Sequence, residues 1–206
     1  MFSDIALPKN NEFEFIEIAS KLGIKKLFFL YDFNEYDEKK LIKKLDSLNN
    51  KKISIEFGFI VNEKNFKKAA AKSKFLAAKS SDKDRIFIES KKIKLIYGFE
   101  DANKKDYIHQ RASGLNQVLC EIARQNNVTV GFSYSSLLNK PNQITSLLMG
   151  RMMQNIILCR KYKVNTIIAS FSDEPFGLRA HHDIASMFNL FGMNDKNIRN
   201  SLDYNF

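Results

Sequence analysis

Four polar residues, Ser133, Tyr134, Ser135 and Ser136, follow directly on the apolar run Val128–Phe132. In an α/β barrel the loops past the carboxyl ends of strands carry ligands, so hydroxyls in this position are candidates for binding. They serve equally well as caps of a following turn, and spacing alone leaves both readings open. Arginine is the second candidate for chemistry. Residues 1–100 carry 21 basic and 15 acidic side chains, but Arg85 is the only arginine among them. Residues 101–206 carry 12 basic and 8 acidic side chains, including Arg111, Arg124, Arg151, Arg160, Arg179 and Arg199. A guanidinium offers a planar fork that grips phosphate oxygens in pairs, whereas an ammonium is a hydrated point charge. Specific phosphate contacts are therefore expected in the second half. The lysine pairs of the first half, such as Lys39-Lys40 and Lys43-Lys44, read as solvated helix faces.

Histidine points away from metal catalysis. There are three, His109, His181 and His182, too few for a metal-bound phosphoesterase site that draws several imidazole and carboxylate ligands from strand ends. Adjacent His181 and His182 cannot readily aim both rings at one ion. Cys120 and Cys159 fall inside helical patterns without metal-ligand spacing, and are expected to be reduced core residues. No glycine-rich phosphate loop and no Ser-His-Asp order occurs.

The elements that position these residues alternate along the chain. Ser3–Leu7, Lys25–Tyr31, Ile53–Val61, Phe75–Ala78, Ile93–Phe99, Val128–Phe132 and Thr166–Ala169 read as strands, and Asp106–Ile108 as a further short one. Between them lie helical segments at Glu12–Leu22, Tyr36–Leu48, Asn65–Lys72, Ser81–Ser90, Gln143–Tyr162 and Ala180–Phe191, of which Ser81–Ser90 is the weakest, since Ile86, Phe87 and Ile88 read equally as strand. A further helix follows Ser113, the expected cap, and carries Leu115, Val118, Leu119, Ile122 and Ala123 as its apolar stripe. The polar tail from Asn194 is expected to fray. Strands and helices in this alternation make parallel βα units, and roughly eight of them predict a small α/β barrel of the TIM type in one domain over residues 1–206. A chain of 206 residues buries roughly 70% of its unfolded surface, enough for one sizeable core. Its charge of +10 and pI near 9.5 suit a protein that meets polyanions. No apolar run approaches membrane-spanning length and no signal-peptide pattern opens the chain, so no membrane partner and a cytoplasmic location are expected.

The run RASGLNQVLCEIARQNNVTVGFSYSSLL, followed by SFSDEPFGLRAHHDIASMFNLFGM, resembles the archaeal and eukaryotic ribonuclease P protein component 3 family. The resemblance covers the second half of the chain; the first half agrees in pattern only, from FSDIALP onward. It implies a barrel similar to the polymerase and histidinol phosphatase metalloenzymes. Their first strand carries an H-x-H ligand pair where this chain has Asp4-Ile5-Ala6-Leu7. It also implies a subunit of ribonuclease P, in which a partner RNA uses magnesium to remove the 5′ leader of precursor tRNA while the protein holds no cofactor and no catalytic site. Ribonuclease P protein component 2, other ribonuclease P proteins, the RNA and precursor tRNA are the implied partners. Arg111 stands at the family's arginine before Ser-Gly-Leu-Asn, and Arg179 at its arginine before the last long helix. Both are expected to contact phosphate, or else to be structural ties to carboxylates such as Asp106 or Asp183. Where the family often has Ser-Pro, this chain has Ala180-His181, so a cap is lost; a phosphate near His181 would still meet free helix N–H groups. Ser133, Lys140, Arg160, Lys161 and Lys163 complete the expected RNA-binding set. The competing reading is a divergent metal-dependent phosphoesterase, using Asp32, Glu56, His109 and Asp173 with Arg179 on the substrate phosphate.

Overall fold

The computed structural model describes residues 2–35, 38–48, 53–101, 105–106 and 108–204. Seven strands, β1 (Ser3–Ala6), β2 (Lys26–Asp32), β3 (Ser54–Val61), β4 (Leu76–Lys79), β5 (Leu95–Tyr97), β6 (Thr129–Ser133) and β7 (Thr166–Ala169), pair in parallel, each with its neighbour in sequence. The sheet curls until its ends meet. The Phe171 N–H donates to the Ile5 carbonyl (2.8 Å) and the Leu7 N–H to the Ser172 carbonyl (2.8 Å), so the chain just past β7 closes on β1. The fold is a small, irregular, nearly closed parallel α/β barrel.

Helices α1 (Glu12–Lys21), α2 (Glu38–Leu48), α3 (Phe66–Ala70), α4 (Asp84–Glu89), α5 (Gln117–Gln125), α6 (Asn142–Tyr162), α7 (His181–Leu190) and α8 (Asp195–Leu202) clothe it. Register divides the apolar residues between two cores. Phe28 and Leu30 on β2, Leu95 and Tyr97 on β5, and Ile167 and Ala169 on β7 turn into the barrel; Leu27, Phe29 and Tyr31 turn outward under the helices. Alternation with both faces buried, as along β2 and β5, explains the nearly continuous apolar runs in the sequence; the first half of β3 is the exception, half-buried to exposed. Gly58 is needed for close approach. A Cβ there would sit 2.3 Å from the Phe75 ring, which packs at 4.5 Å centroid distance on Phe28.

Three expectations need correction. Asp106–Ile108 forms no strand at its described residues; Tyr107 lies outside them. Instead the Asp106 carboxylate accepts the Ala112 N–H and an Arg151 N–H, so this segment bonds to a loop and a helix, and the sheet has seven strands among the described residues rather than eight. The cap of α5 is Asn116, whose Oδ1 accepts the Leu119 N–H at 2.9 Å, rather than Ser113. The helix consequently starts later and buries Cys120 and Ala123, leaving Val118 52% exposed. The tail does not fray at once: α8, capped by Asn194, buries Ile198 and Leu202 against β7, and Tyr204 reaches the inner core. Its spacing of apolar residues is hidden beneath its polar composition. The two cysteines are free, buried thiols on α5 and α6. Tyr36, expected to begin α2, lies outside the described residues.

Candidate nucleic-acid interface

At the carboxyl ends of the strands the hydroxyl cluster is turned on itself. Ser133 is buried; its Oγ lies 3.1 Å from the Ser135 Oγ and accepts the Ser136 N–H. Ser135 donates to the Phe171 carbonyl (2.9 Å) and Ser136 to the Ser133 carbonyl (2.8 Å). These bonds staple the loop after β6 to the one after β7. The turn-capping reading of the serines is the one the geometry follows, with each hydroxyl committed inside the protein. Lys140, next along the rim, is ion-paired to Asp101 at 3.1 Å.

Arg179 lies on this rim with its guanidinium 5.8 Å from the Tyr134 ring centre, a cation–π geometry. One nitrogen, Nη1, donates to the Phe176 and Leu178 carbonyls, and no carboxylate pairs with it among the described residues. The expected alternative, a tie to Asp183, is not formed; Asp183 lies 3.4 Å from His182 instead. His181 opens α7 with its ring 5.2 Å from that of Phe2, and Ala180 before it supplies no side-chain cap.

Arg111 and Arg151 divide the roles expected of Arg111. Arg111 donates from Nη1 to the Gly150 carbonyl (2.8 Å), and Gly150 permits this because a Cβ there would meet the guanidinium carbon at 2.9 Å. The rest of Arg111 is exposed. The salt bridge to Asp106 belongs to Arg151, which is 1% exposed, donates Nε to Asp106 (2.8 Å) and donates Nη1 to the Glu100 carbonyl (2.8 Å). Burial works to raise the Asp106 pKa, but the Ala112 N–H and the Arg151 guanidinium prevail and hold it below the usual carboxylate range. One turn on, Asn155 donates to the Ser113 carbonyl (2.7 Å). Sequence reasoning missed Arg151 and Asn155 as structural polar residues. The signal was present, since both share the helix face of Leu148, Met152 and Cys159, which is the buried one. Two buried carboxyls, Asp4 and Glu100, also escaped notice. Asp4 accepts the Ser170 N–H and hydroxyl, both at 2.6 Å, across the closure of the barrel.

The amino ends of the strands present a different surface. Arg160, Lys161 and Lys163 gather where α6 ends, a placement favoured by the partial negative charge of a helix C-terminus. Lys163 adopts a left-handed conformation (φ 55°) that stops the helix. Beside it opens a cavity of about 620 Å³ whose lining includes Arg160, Lys163, Asn165, Asn194, Asn197 and Asn200, with Asp203 its one carboxylate. Arg160 makes a single long bond to the Gly192 carbonyl (3.3 Å) and Lys161 lies 5.3 Å from the Tyr162 ring centre. None of the three is ion-paired among the described residues. Asparagine amides donate and accept, and cations neutralise phosphate, so the concavity suits a sugar–phosphate backbone read by shape rather than by base edge.

The phosphoesterase set is not assembled. Asp32 ends β2 and accepts the Asn34 N–H; Glu56 is four residues lower in register, at the other end of the barrel, paired with Lys26 at 2.9 Å. Asp173 is held by Lys9 (2.6 Å), which lowers its pKa, and His109 is exposed. Among the described residues no three His, Cys, Asp or Glu side chains stand where they could hold a metal.

Fold and charge thus define a basic seven-stranded α/β barrel with a cationic, amide-rich concavity at its amino end. The family model for RNase P subunit p30 matches residues 104–206, half of the chain, and the chain belongs to that family. It is 25% identical over 111 residues to ribonuclease P protein component 3 of Methanococcus vannielii, covering 52% of this chain and 48% of that one. Against the component 3 protein of Methanococcoides burtonii it is 34% identical over 97 residues, covering 46% and 40%. These matches span less than half the length of either relative; that with Methanococcus maripaludis component 3 is longer, 22% identical over 182 residues and 76% of the relative. In fold the chain resembles one in a cryo-EM structure of archaeal ribonuclease P with mature tRNA, with a TM-score of 0.77 at 14% identity over 97% of this chain and 86% of that one.

Proposed function

We propose that this chain, a single barrel domain over residues 1–206, is a protein subunit of ribonuclease P that binds and stabilises the catalytic RNA while that RNA removes the 5′ leader from precursor tRNA. Magnesium is used by the RNA, and the protein contributes no catalytic group. The observation that carries the reading is the cationic cluster of Arg160, Lys161 and Lys163 where α6 ends, none of them ion-paired among the described residues, with Arg160 and Lys163 on the asparagine-lined cavity. Neutralised phosphates let RNA helices pack closely, which lowers the metal concentration needed to fold them. Arg111, Arg179 and His181 are proposed as a second contact region on the carboxyl side, with Ser133 and Lys140 at its edge, where the Ser133 hydroxyl and the Lys140 ammonium would have to leave their internal partners to reach RNA. Ribonuclease P protein component 2 and the other ribonuclease P proteins are the proposed protein partners, in the cytoplasm. No helix among the described residues is long and apolar enough to cross a membrane.

The test is reconstitution with the cognate RNA. Added with its component 2 partner, the protein is expected to lower the magnesium needed for precursor tRNA cleavage, and alone to cleave nothing; cleavage by the protein without RNA overturns the proposal. Arg160→Gln with Lys163→Gln is expected to weaken RNA binding alike across base sequences, and to reduce the slope of log affinity against log salt by about one for each phosphate left without its cation. An unchanged slope removes this cluster from the RNA face.

A further inference from the structure

The eight residues of β3 are only partly paired. The Ser54 N–H donates to the Lys25 carbonyl (2.9 Å), which fixes the even-numbered residues toward β2. Ile55, Phe57 and Phe59 therefore turn their backbone groups toward β4. Pairing on that side begins only at Phe59, whose N–H donates to the Phe75 carbonyl (3.1 Å). Below it the Ile55–Phe57 edge runs beside a cavity of about 530 Å³ floored by Phe28, Phe57 and Phe75, with Lys74 and Lys94 on its rim.

We propose that this open edge of β3 is a docking groove for a partner protein, which enters as an extended segment of alternating acidic and apolar residues and adds a short strand beside Ile55–Phe57. The proposal goes beyond RNA binding and does not depend on it. Added strands take their affinity from main-chain hydrogen bonds and their selectivity from alternate side chains, and the groove offers both. Its charge calls for carboxylates. The lining carboxylate, Glu56, is already matched by Lys26 at 2.9 Å, whereas Lys74 and Lys94 are exposed and pair with no carboxylate among the described residues. The same lysines discourage pairing of the edge with a second copy of itself. A nucleotide is the less suitable occupant. Phe28 and Phe75 spend their faces on one another at 4.5 Å and are 2% and 8% exposed, so neither ring is open for a base to stack on, and half-buried Phe57 alone makes no stacking platform.

Fluorescence anisotropy on the full chain tests this, with labelled hexapeptides in which aspartate alternates with valine, isoleucine or phenylalanine. Saturable binding is expected for at least one of them. N-methylation of the amides that would pair should weaken it about tenfold, the worth of one or two hydrogen bonds. Lys74→Glu with Lys94→Glu should abolish it without altering the circular dichroism spectrum, while Arg160→Gln with Lys163→Gln, which tests the RNA reading, should leave it unchanged. Failure of all three peptides, equal binding of the N-methylated form, displacement by oligouridylate, or dimerisation through this edge in sedimentation each overturns the proposal.

Discussion

The two ends of the barrel spend their polar groups in opposite ways. At the carboxyl ends Ser133, Ser135 and Ser136 bond to one another and to neighbouring carbonyls, Lys140 meets Asp101, and Arg151 is sealed beneath the loop after β5. At the amino ends Arg160, Lys163, Lys74 and Lys94 face concavities without a carboxylate partner among the described residues. A net charge of +10 says that a polyanion is welcome, but the site is where cations remain uncommitted after folding. In most barrels ligands gather at the carboxyl ends of the strands. Here that end is largely occupied with holding the fold together, and the available charge lies at the other.

The strongest way to break this contrast is through Arg151. Replacing it with Ala strands the Asp106 carboxylate and the Glu100 carbonyl, and removing one partner of a buried pair costs about 3 kcal/mol or more; Asp106 is partly exposed, which places the expected loss at the lower end. Arg160→Ala at the other end should change stability by less than about 0.5 kcal/mol. Urea denaturation of both variants decides the matter, and similar losses would erase the division between a structural and a binding end.

A second expected effect concerns pH. Burial raises the Asp4 pKa to about 6, against the hydrogen bonds from Ser170 and Ile5 that favour its ionised form, and burial raises Glu100 to about 7. In both cases the folded state holds a proton that the unfolded chain has released, so stability falls as pH rises through the interval from each unfolded value to about 6 or 7. The cost is on the order of 3 kcal/mol per group at most. Asp106 works the other way: its lowered pKa contributes stability at neutral pH that is lost only as strong acid protonates it. Maximum stability from these groups is therefore expected near pH ~4, where the unfolded carboxyls begin to ionise and Asp106 has not yet taken up a proton. Asp4→Asn and Glu100→Gln should each flatten the decline above that pH, because an amide cannot ionise; an unchanged profile in both variants would show that these carboxyls do not govern it.

Much of the barrel was legible because parallel strands covered on both faces carry continuous apolar runs, and the helices between them carry regular stripes. Thr166–Ala169 and Gln143–Tyr162 were placed to within a residue for that reason. The errors fell where polar side chains decide. Asn116 took the cap expected of Ser113, and Asp106 was drawn to Arg151 rather than into a ladder. The candidate site was legible as residue types but not as commitments. Arg111 and Arg151 are the same residue type, and only three-dimensional placement shows that one is exposed and the other sealed. Ser133 and Lys140 stood out for position and charge, and each has an internal partner that lies far away in sequence or in another loop.

Arg179 gives the smallest and most discriminating test, because it sits on the committed end yet keeps its charge. Its Nη1 serves two carbonyls and its plane rests near Tyr134, interactions that are partly solvated and together contribute about 1 kcal/mol. Arg179→Ala should therefore lower the melting temperature by only about 2–4 °C in a chain of this size. Its remaining N–H groups can still form a fork on a phosphate, so the same variant should reduce the salt slope of RNA binding by about one and weaken affinity alike for different sequences. Arg179→Lys should recover part of the affinity, since it keeps the charge and loses the fork. A sharp fall in melting temperature with an unchanged salt slope would make Arg179 another internal tie. The carboxyl end would then be wholly structural, with the RNA face confined to the mouth around Arg160 and Lys163.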